Sequence, residues 1–350
     1  KDVPDAKELG QDEALYYEEL VRRETFAFNS QDVRPYFEFS RVRDGLLAVT
    51  GKLFDVSYRP VTDDKVWHED VSVYDVWQAD RAEGAQARGP ALPGRDASVT
   101  KGKNLGRIYL DLHPREGKYK HAAQFTLVSG VTDQQLPAGV LVCNFPNPRT
   151  TSPALMEHDE VVTLFHEFGH LMHHILGGRQ HWADFSGVAT EWDFVEAPSQ
   201  MLEEWAWDQQ TLQMFAKHYQ TEKPIPDELV ARMRRASEFG KGTTVRHQLF
   251  YAALSLAIHT LKDPSAINFD ELTHKIQKQY SMFSYVPATH FFASFGHLNG
   301  YSAMYYTYQW SLVIAKDLFS AFQKTGISDL ETAHRYRDRV LLKLTHACPV

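Results

Sequence analysis

The stretch TLFHEFGHLMHH, residues 163–174, places four histidines and one glutamate among mostly apolar side chains. The flanking residues predict a helix that begins between Ser152 and Asp159, both suitable N-caps, and ends at Gly177-Gly178. On a helix, side chains four residues apart lie on one face, so two histidines at that spacing can share a metal ion. The first question is therefore which of these histidines are ligands.

A glutamate next to one histidine distinguishes between the possible pairs. By spacing alone, a metal could be chelated by His166/His170, by His170/His174 or, less favourably, by His170/His173. A hydrolytic zinc site also needs a general base beside the metal-bound water, as in the motif His-Glu-x-x-His. Glu167 follows His166 and supplies that base, whereas an apolar leucine follows His170. We therefore predict that His166 and His170 are zinc ligands and that Glu167 is the general base.

The rest of this helix has features that a buried metal site would explain. His173 and His174 are expected to be structural or to support the ligands from behind. Because the residues around the motif are apolar, two buried ligand histidines would need a partner. Gly169 lies inside the helix, where glycine costs about 1 kcal/mol relative to alanine. A close approach by another backbone or a ligand, or simple tight packing between helices, would account for it.

A third ligand is expected because catalytic zinc sites typically take three protein ligands and keep one position for water. The segment at 186–208 offers as candidates Glu191, Asp193, Glu196, Glu203 and Glu204. We expect a helix here with Asp193 as N-cap and Pro198 near its first turn. Glu196 and Glu203 would then share one face with Gln200 and Trp207. This favours Glu196 as a ligand and Glu203 as the residue that orients a ligand histidine, the alternative being a solvated acidic helix.

The remainder of the chain favours a mainly α fold with a small β region over 107–145. Residues 107–113 and 119–128 alternate around the turn sequence PREGK and predict a β-hairpin, to which 139–145 could add a third strand. Helical patterns cover residues 12–30 and 42–58, and they dominate from Asp159 onward.

The domain organisation is expected to be simple. Residues 79–104, rich in Gly, Ala, Pro and charge, predict a surface loop or insertion. We expect one catalytic domain over 1–350, with its helical zinc-binding core at 152–340. The chain has 350 residues, which is enough to bury a sizeable core.

Composition limits the partners and the compartment. The net charge is −8 and no cluster of five Lys and Arg occurs, so we expect no nucleic-acid partner. No signal peptide and no apolar run of about 20 residues is visible, so we expect no membrane association. Two cysteines make no disulfide framework, which weakly favours the cytoplasm. The chain starts without Met and is interpreted as either a processed product or a piece of something longer.

Several segments resemble a known family. They are HDEVVTLFHEFGHLMHH (158–174), FSGV (185–188), DFVEAPSQMLEEWAW (193–207), YLDLHPREGKYKHAA (109–123) and FGHLNGYSAMYYTYQW (295–310). Together they resemble, in order, the zinc core of the thimet oligopeptidase and neurolysin family, which includes oligopeptidase A and dipeptidyl carboxypeptidase. The resemblance runs from about residue 12 to 340. It implies a helical, zincin-like catalytic domain lining one wall of a deep channel, one Zn²⁺ per chain, and short peptides as substrates.

The resemblance also implies roles for individual residues. His166, His170 and Glu196 resemble the family's zinc ligands, and Glu167 matches its general base. The resemblance also implies that four residues face the substrate and the transition state: His297, Tyr301, Tyr305 and Tyr308. The strand edge that carries GKYKHAA, with His121, looks like the edge that pairs with bound peptide, and Gly300 is included among the substrate-binding residues.

The residues themselves give a second reading of the tyrosines. Tyr301, Tyr305 and Tyr308 are predicted to lie on one helical stripe, with Gly296 and Gly300 flanking a flexible approach to it. An aromatic stripe at this spacing is commonly core, yet a metallopeptidase needs a donor for its oxyanion, which a phenol or an imidazolium supplies. HLNGY is one residue shorter than the family's usual HLAGGY, which alters the spacing between His297 and Tyr301.

We therefore predict a zinc endopeptidase that hydrolyses internal bonds of short oligopeptides with a metal-activated water. One alternative is a dipeptidyl carboxypeptidase. The other is a zinc-loaded but inactive peptide-binding fragment, because family chains are much longer and carry an N-terminal helical region opposite the zinc site. A missing N-terminal region or a second chain is then the partner that would complete the channel.

Overall fold

The computed structural model describes residues 9–79 and 102–342. The predicted loop at 79–104 therefore lies almost wholly outside the described residues. The described residues form a mainly α structure with one small sheet. The α-helices are α1 Ala14–Phe26, α2 Ser30–Val33, α3 Phe39–Phe54, α4 His158–Leu176, α5 Ala197–Trp207, α6 Gln209–Phe215, α7 Asp227–Ser237, α8 Lys241–His259, α9 Phe269–Tyr280, α10 Phe291–Ser294, α11 His297–Gly300, α12 Thr307–Thr325 and α13 Leu330–Tyr336. In this part of the chain, no helix has the length and apolar character needed to cross a bilayer.

The sheet is mixed and has five strands. They are β1 Val56–Val61, β2 Ser72–Gln78, β3 Asn104–Asp111, β4 Ala123–Val128 and β5 Ala138–Val142. The spatial order is β1-β2-β3-β5-β4, and only β3 and β5 run parallel. The predicted mainly α fold with a small β region is thus confirmed, but the sheet extends further toward the N-terminus than predicted.

The predicted β-hairpin is wrong, because β3 and β4 are not neighbours and β5 lies between them. The cause is the buried side chain of Lys118 in the PREGK sequence. Its Nζ donates to the carbonyl oxygens of Asp111, His113 and Cys143 at 2.8, 2.7 and 2.5 Å. These bonds fasten the connecting loop to the ends of β3 and β5, so β4 pairs with the outer edge of β5.

The helix predicted over 42–58 ends early, and β1 takes its last residues. Asp55 has a left-handed backbone, φ 56°, which stops α3 at Phe54. Pro60 fits in β1 because this strand forms an edge of the sheet. The helix predicted over 12–30 is interrupted in the same way at Ala27, with φ 49°.

Helix α4 is the central element of the main core, and its predicted ends are confirmed. A capping box between Glu157 and Glu160 begins the helix, and Gly177 forms its C-cap. Most of its apolar side chains are buried, Phe165 and Phe168 with zero exposure, and the helix packs against the sheet and α5. A second, smaller apolar cluster forms around α8 and α9 and includes Phe250, Leu254, Ile276, Phe295 and Tyr305.

Gly169 permits α4 and α5 to approach each other closely. A Cβ added at Gly169 would lie 2.6 Å from the Cα of Ser199 and 3.0 Å from the carbonyl oxygen of Pro198. Both contacts are with backbone, which cannot rotate away. The expected close approach is confirmed, and its cause is tight packing between two helices.

The start of α5 differs from the predicted one. Glu196, not Asp193, occupies the N-cap position, and Pro198 lies in the first turn. Asp193 is used elsewhere: its carboxylate accepts from the Tyr306 hydroxyl at 3.1 Å and its carbonyl accepts from Ser311 Oγ at 2.7 Å. The helix therefore begins one turn later than predicted.

We expect Gly169→Ala to lower the free energy of unfolding by about 1–3 kcal/mol, because the new methyl group overpacks the α4–α5 contact. The matched control is Gly242→Ala in α8, where an added Cβ meets no atom within 4 Å. That control should stabilise the protein by up to about 1 kcal/mol through helix propensity. Urea unfolding monitored by circular dichroism measures both, and equal stability of the two variants would contradict the proposed close packing.

Candidate metal centre

Helices α4 and α5 bring three potential ligand side chains together. One ligand atom each of His166, His170 and Glu196 lies within 4.8 Å of the other two. The Nε2 atoms of the two histidines lie 3.2 and 3.1 Å from Oε2 of Glu196. Two imidazole nitrogens and one carboxylate oxygen form a donor set that suits a catalytic divalent metal, so these residues fit such an ion.

The competing pair His170/His174 is not brought together in this way. His174 Nε2 lies 3.2 and 3.0 Å from the carbonyl oxygens of Val128 and Ala138, which ties α4 to the sheet. His173 is completely buried, and neither of its ring nitrogens has a partner among the residues described. Burial, reinforced by nearby histidines, lowers the pKa of His173 to about 3.

Glu196 is a buried carboxylate, with 1% of its surface exposed. Burial alone would raise its pKa, but the charges and hydrogen bonds of His170 and His166 hold that pKa well below its usual range. Both carboxylate oxygens have further contacts. Oε2 accepts from Ser199 Oγ at 3.2 Å, and Oε1 accepts from the Tyr301 hydroxyl at 2.5 Å. The carboxylate is therefore ionised and held in one orientation.

Glu203 contacts His166 from the side opposite to Glu196. Its Oε1 lies 2.6 Å from Nδ1 of His166. Burial would lower the pKa of His166, but hydrogen bonds to Glu196 and Glu203 raise it well above its ordinary value. A carboxylate on Nδ1 fixes the ring and leaves Nε2 directed at the metal position.

The tyrosines gather beside this site, but not as a helical stripe. The stripe prediction is wrong because α12 begins only at Thr307, so Tyr301 and Tyr305 precede it. Their rings nevertheless converge with that of Tyr308, at centroid distances of 5.4 Å from Tyr301 and 4.9 Å from Tyr305. His297 lies 5.1–5.7 Å from all three rings despite its altered spacing.

Burial controls the protonation of this aromatic cluster. Burial, followed by the charge of Glu196, raises the pKa of Tyr308 far above its ordinary value, and Tyr301 shifts in the same direction. Burial lowers the pKa of His297. At neutral pH the phenols are therefore protonated donors and His297 is a neutral imidazole. The charge of Glu167, a half-buried residue that follows His166 on α4, adds to the upward shift of the pKa of Tyr301.

The remaining predicted substrate residues lie at the margin of the site. His121 is exposed and precedes β4, and its charge contributes to the lowered pKa of His297. Gly300 ends α11, where an added Cβ would meet no atom within 4 Å. β4 is an edge strand, with Phe125 and Leu127 43% and 47% exposed. The structure thus gives no steric reason for a glycine at position 300, and the role of His121 stays a prediction.

Sequence reasoning missed the residues that hold the site in place. Ser199 donates to Glu196, and Gln200 Nε2 donates to the carbonyl oxygen of Tyr308 at 2.8 Å. Thr307 and Ser311 donate to main-chain oxygens in the segment that precedes α5. Small polar residues near the predicted ligands were the available signal, but the main-chain partners of Gln200, Thr307 and Ser311 lie more than 100 residues away in the chain.

Comparison with known proteins places this site in a family. The profile of Peptidase family M3 matches residues 11–88 and 95–343. The chain therefore belongs to Peptidase family M3.

Curated relatives match nearly the whole chain but only part of their own length. Thimet-like oligopeptidase of Dictyostelium discoideum is 34% identical over 93% of this chain and 46% of its own length. Oligopeptidase A of Salmonella typhimurium is 31% identical over 96% of this chain and 48% of its own length. Saccharolysin of Saccharomyces cerevisiae is 32% identical over 94% of this chain and 45% of its own length. The chain thus spans about half the length of these relatives.

We expect Glu203→Gln to weaken the affinity for added Zn²⁺ by about 10- to 100-fold, because the amide holds the His166 ring less firmly than a carboxylate. Competition with a chromophoric chelator measures this affinity. The matched control is Glu204→Gln, the next residue of α5, which pairs with Lys316 instead. Wild-type affinity in Glu203→Gln, or equal losses in both variants, would contradict the role of Glu203.

We expect the folded state to lose stability as the pH falls below about 6.5, partly through His173. The unfolded chain then binds a proton at His173, whereas the folded pKa of about 3 keeps the buried ring neutral. At pH 5 this difference costs about 2 kcal/mol relative to pH 7. His173→Leu should remove that part of the pH dependence, and His181→Leu at an exposed position should not. Urea unfolding in the presence of EDTA at pH 5 and pH 7 measures the free energy of unfolding of each protein. The same pH dependence in the wild type and both variants would contradict the contribution of His173.

Proposed function

We propose that this protein is a zinc-dependent endopeptidase that hydrolyses internal bonds of short oligopeptides. The observation that carries the proposal is the convergence of His166 Nε2, His170 Nε2 and Glu196 Oε2 on one point, with Glu167 next to His166 in the sequence of α4. Membership of Peptidase family M3 and relatives named oligopeptidase support it.

His166, His170 and Glu196 would hold the zinc ion, with Glu203 orienting the ring of His166. Two histidines and a glutamate are a frequent ligand set of catalytic zinc. When bound, zinc lowers the pKa of water toward about 7 and polarises the scissile carbonyl. Ser199 and the Tyr301 hydroxyl keep the ligand carboxylate in the orientation that faces both histidines.

Glu167 would act as the general base. It follows His166 on α4, and its charge contributes to the raised pKa of Tyr301. Its carboxylate would take a proton from the attacking water and later deliver it to the amine that leaves. An amide at this position cannot accept the proton, although it occupies nearly the same space.

Tyr308 and Tyr305 would donate hydrogen bonds to the oxyanion that forms on the scissile carbonyl. Burial raises the pKa of both phenols, so each keeps its proton at neutral pH. His297 would assist as a neutral N–H donor, because burial lowers its pKa. The imidazolium considered from the sequence is therefore the less favoured form.

The substrate would lie along the edge of β4. This strand exposes main-chain groups on its outer side, and an extended peptide can add to such an edge. His121 precedes this strand, while Tyr301 and Gly300 would contact the peptide from the opposite side. The charge of His121 reaches His297, which supports a path between the two.

The proposal also covers the organisation and partners of the protein. We propose one zincin-like catalytic domain that lines one wall of a channel, completed by an N-terminal region or a second chain. The support is that this chain spans 45–48% of three relatives.

The same observation favours a second candidate function, a zinc-loaded but inactive peptide-binding fragment. A location in the cytoplasm is supported by a relative named cytosolic oligopeptidase A.

We expect Glu167→Gln to reduce cleavage of a quenched fluorescent peptide of roughly ten residues to background, because no general base remains. Zinc content, measured by atomic spectroscopy, should stay at the wild-type level. Glu204→Gln, which changes the partner of Lys316 at the neighbouring position of α5, should keep wild-type activity and zinc. Near-normal hydrolysis by Glu167→Gln would contradict the mechanism. Bound zinc without hydrolysis by the wild type would instead favour the peptide-binding fragment.

The same assay separates the endopeptidase from a dipeptidyl carboxypeptidase. An endopeptidase should cleave peptides with free and amidated C-termini at the same internal bond, as mass spectrometry of the products shows. Release of dipeptides from the free C-terminus, with loss of cleavage on amidation, would favour the carboxypeptidase.

A further inference from the structure

We propose that Gln200 is a positioning residue that holds Tyr308 in the aromatic cluster, whose Tyr301 hydroxyl contacts Glu196. This inference rests on the proposed function, since it gives Tyr308 a role in the reaction. Gln200 lies on α5 one turn after Glu196, and 9% of its surface is exposed. Its side chain crosses to the start of α12, where Nε2 donates to the carbonyl oxygen of Tyr308 at 2.8 Å.

The orientation of the Gln200 amide is fixed by its partner. A carbonyl oxygen only accepts, so the NH₂ group must face Tyr308. The other amide atom, Oε1, is then buried with no partner in the part of the chain that the structure describes. A buried acceptor without a donor costs free energy. A glutamine retained for packing alone could be replaced by an apolar side chain without that cost.

Two buried hydroxyls continue the same connection. Thr307 Oγ1 donates to the carbonyl oxygen of Trp192 at 2.6 Å, and Ser311 Oγ donates to that of Asp193 at 2.7 Å. Both residues have zero exposed surface. We call Gln200, Thr307 and Ser311 the α5–α12 clasp. It joins the segment that contains Glu196 to the first turn of the helix that contains Tyr308.

The rest of the α5–α12 contact does not depend on the clasp. The ring of Trp205 packs against Phe319 and Phe322 at centroid distances of 5.6 and 5.0 Å, and Lys316 pairs with Glu204. Loss of the Gln200 bond should therefore leave the two helices packed together and free only the first turn of α12.

The first turn of α12 determines where the Tyr308 phenol can reach. With its main chain fixed, that phenol moves only by rotation of its side-chain bonds. A donor to an oxyanion must lie about 2.7–3.1 Å from it, and a shift of about 1 Å can cost a factor of about 100 in rate. Gln200 thus acts through Tyr308 and does not touch the reacting atoms.

The test is Gln200→Met, which keeps the length of the side chain and removes the donor. The matched control is Gln277→Met, a buried glutamine of α9 whose Nε2 donates to Gln11 at 2.6 Å and not to the segment around Tyr308. Measurements are kcat and KM on the fluorescent peptide, affinity for Zn²⁺, and hydrogen exchange of residues 301–311 by mass spectrometry.

We expect Gln200→Met to lower kcat by about 10- to 100-fold, with KM and zinc affinity at wild-type values. Amides at 301–311 should exchange faster, while those of α4 should not. Gln277→Met should match the wild type in kcat and in exchange at 301–311. Thr307→Val provides a second variant, because it removes another clasp bond without changing side-chain size, and it should act in the same direction.

Three results would overturn the inference. The first is wild-type kcat and wild-type exchange in Gln200→Met, or in Thr307→Val should Gln200→Met fail to fold. The second is a parallel loss of zinc affinity and kcat, which would make Gln200 a support of the ligands instead. The third is an equal effect of Gln277→Met. If the wild type binds zinc but cleaves no peptide, the proposed function fails, and exchange at 301–311 still shows whether the clasp holds Tyr308.

Discussion

The close packing of α4 against α5 is the constraint on which the site depends. The two ligand histidines lie on α4 and the carboxylate lies at the start of α5, so their distance is set by how near the helices come. At Gly169 the backbone of Ser199 occupies the space that a side chain would need. The glycine is one residue from His170, and Ser199 is three residues from Glu196. The tightest contact between the helices and the proposed metal position therefore coincide.

This packing buries the carboxylate of Glu196, and the neighbouring side chains stabilise its charge. Glu196 is almost completely buried, and an isolated carboxylate in such a place would take up a proton. Two imidazoles within 3.2 Å supply the compensating charge, and Glu203 in turn stabilises the charge on His166. The result is an ionised, hydrogen-bonded ligand set that is assembled by the fold itself. A divalent ion would replace the protons that these histidines otherwise share with the carboxylates.

The parts of this arrangement that were predictable from the sequence are the local ones. Helix α4, its ends, and the convergence of His166 with His170 follow from spacing and capping within twenty residues. The pairing of β3 with β5 was not predictable, because Lys118 fastens the intervening loop to Asp111 at the end of β3 and to Cys143 just after β5, contacts that the local pattern does not show. Asp193 was a reasonable N-cap, yet the hydroxyl groups of Tyr306 and Ser311, more than 100 residues later, occupy its acceptors.

The tyrosines show how a wrong local prediction can coexist with a right spatial one. Tyr301 and Tyr305 are not on the helix of Tyr308, but all three rings meet because Tyr305 belongs to the smaller apolar cluster around α8 and α9. The later turns of α12, with Ala315, Phe319 and Phe322, belong to the main core that contains α4. Helix α12 therefore bridges the two apolar clusters. The proposed donors lie beside the smaller cluster, and the proposed metal ligands lie on helices of the main core. The geometry between donor and ligand is set where those cores meet, and in that place the buried contacts are hydrogen bonds of side chains to main-chain oxygens. Hydrogen bonds have narrow ranges of distance and angle, whereas apolar contacts tolerate sliding. These hydrogen bonds are therefore suited to fixing one reacting group against another.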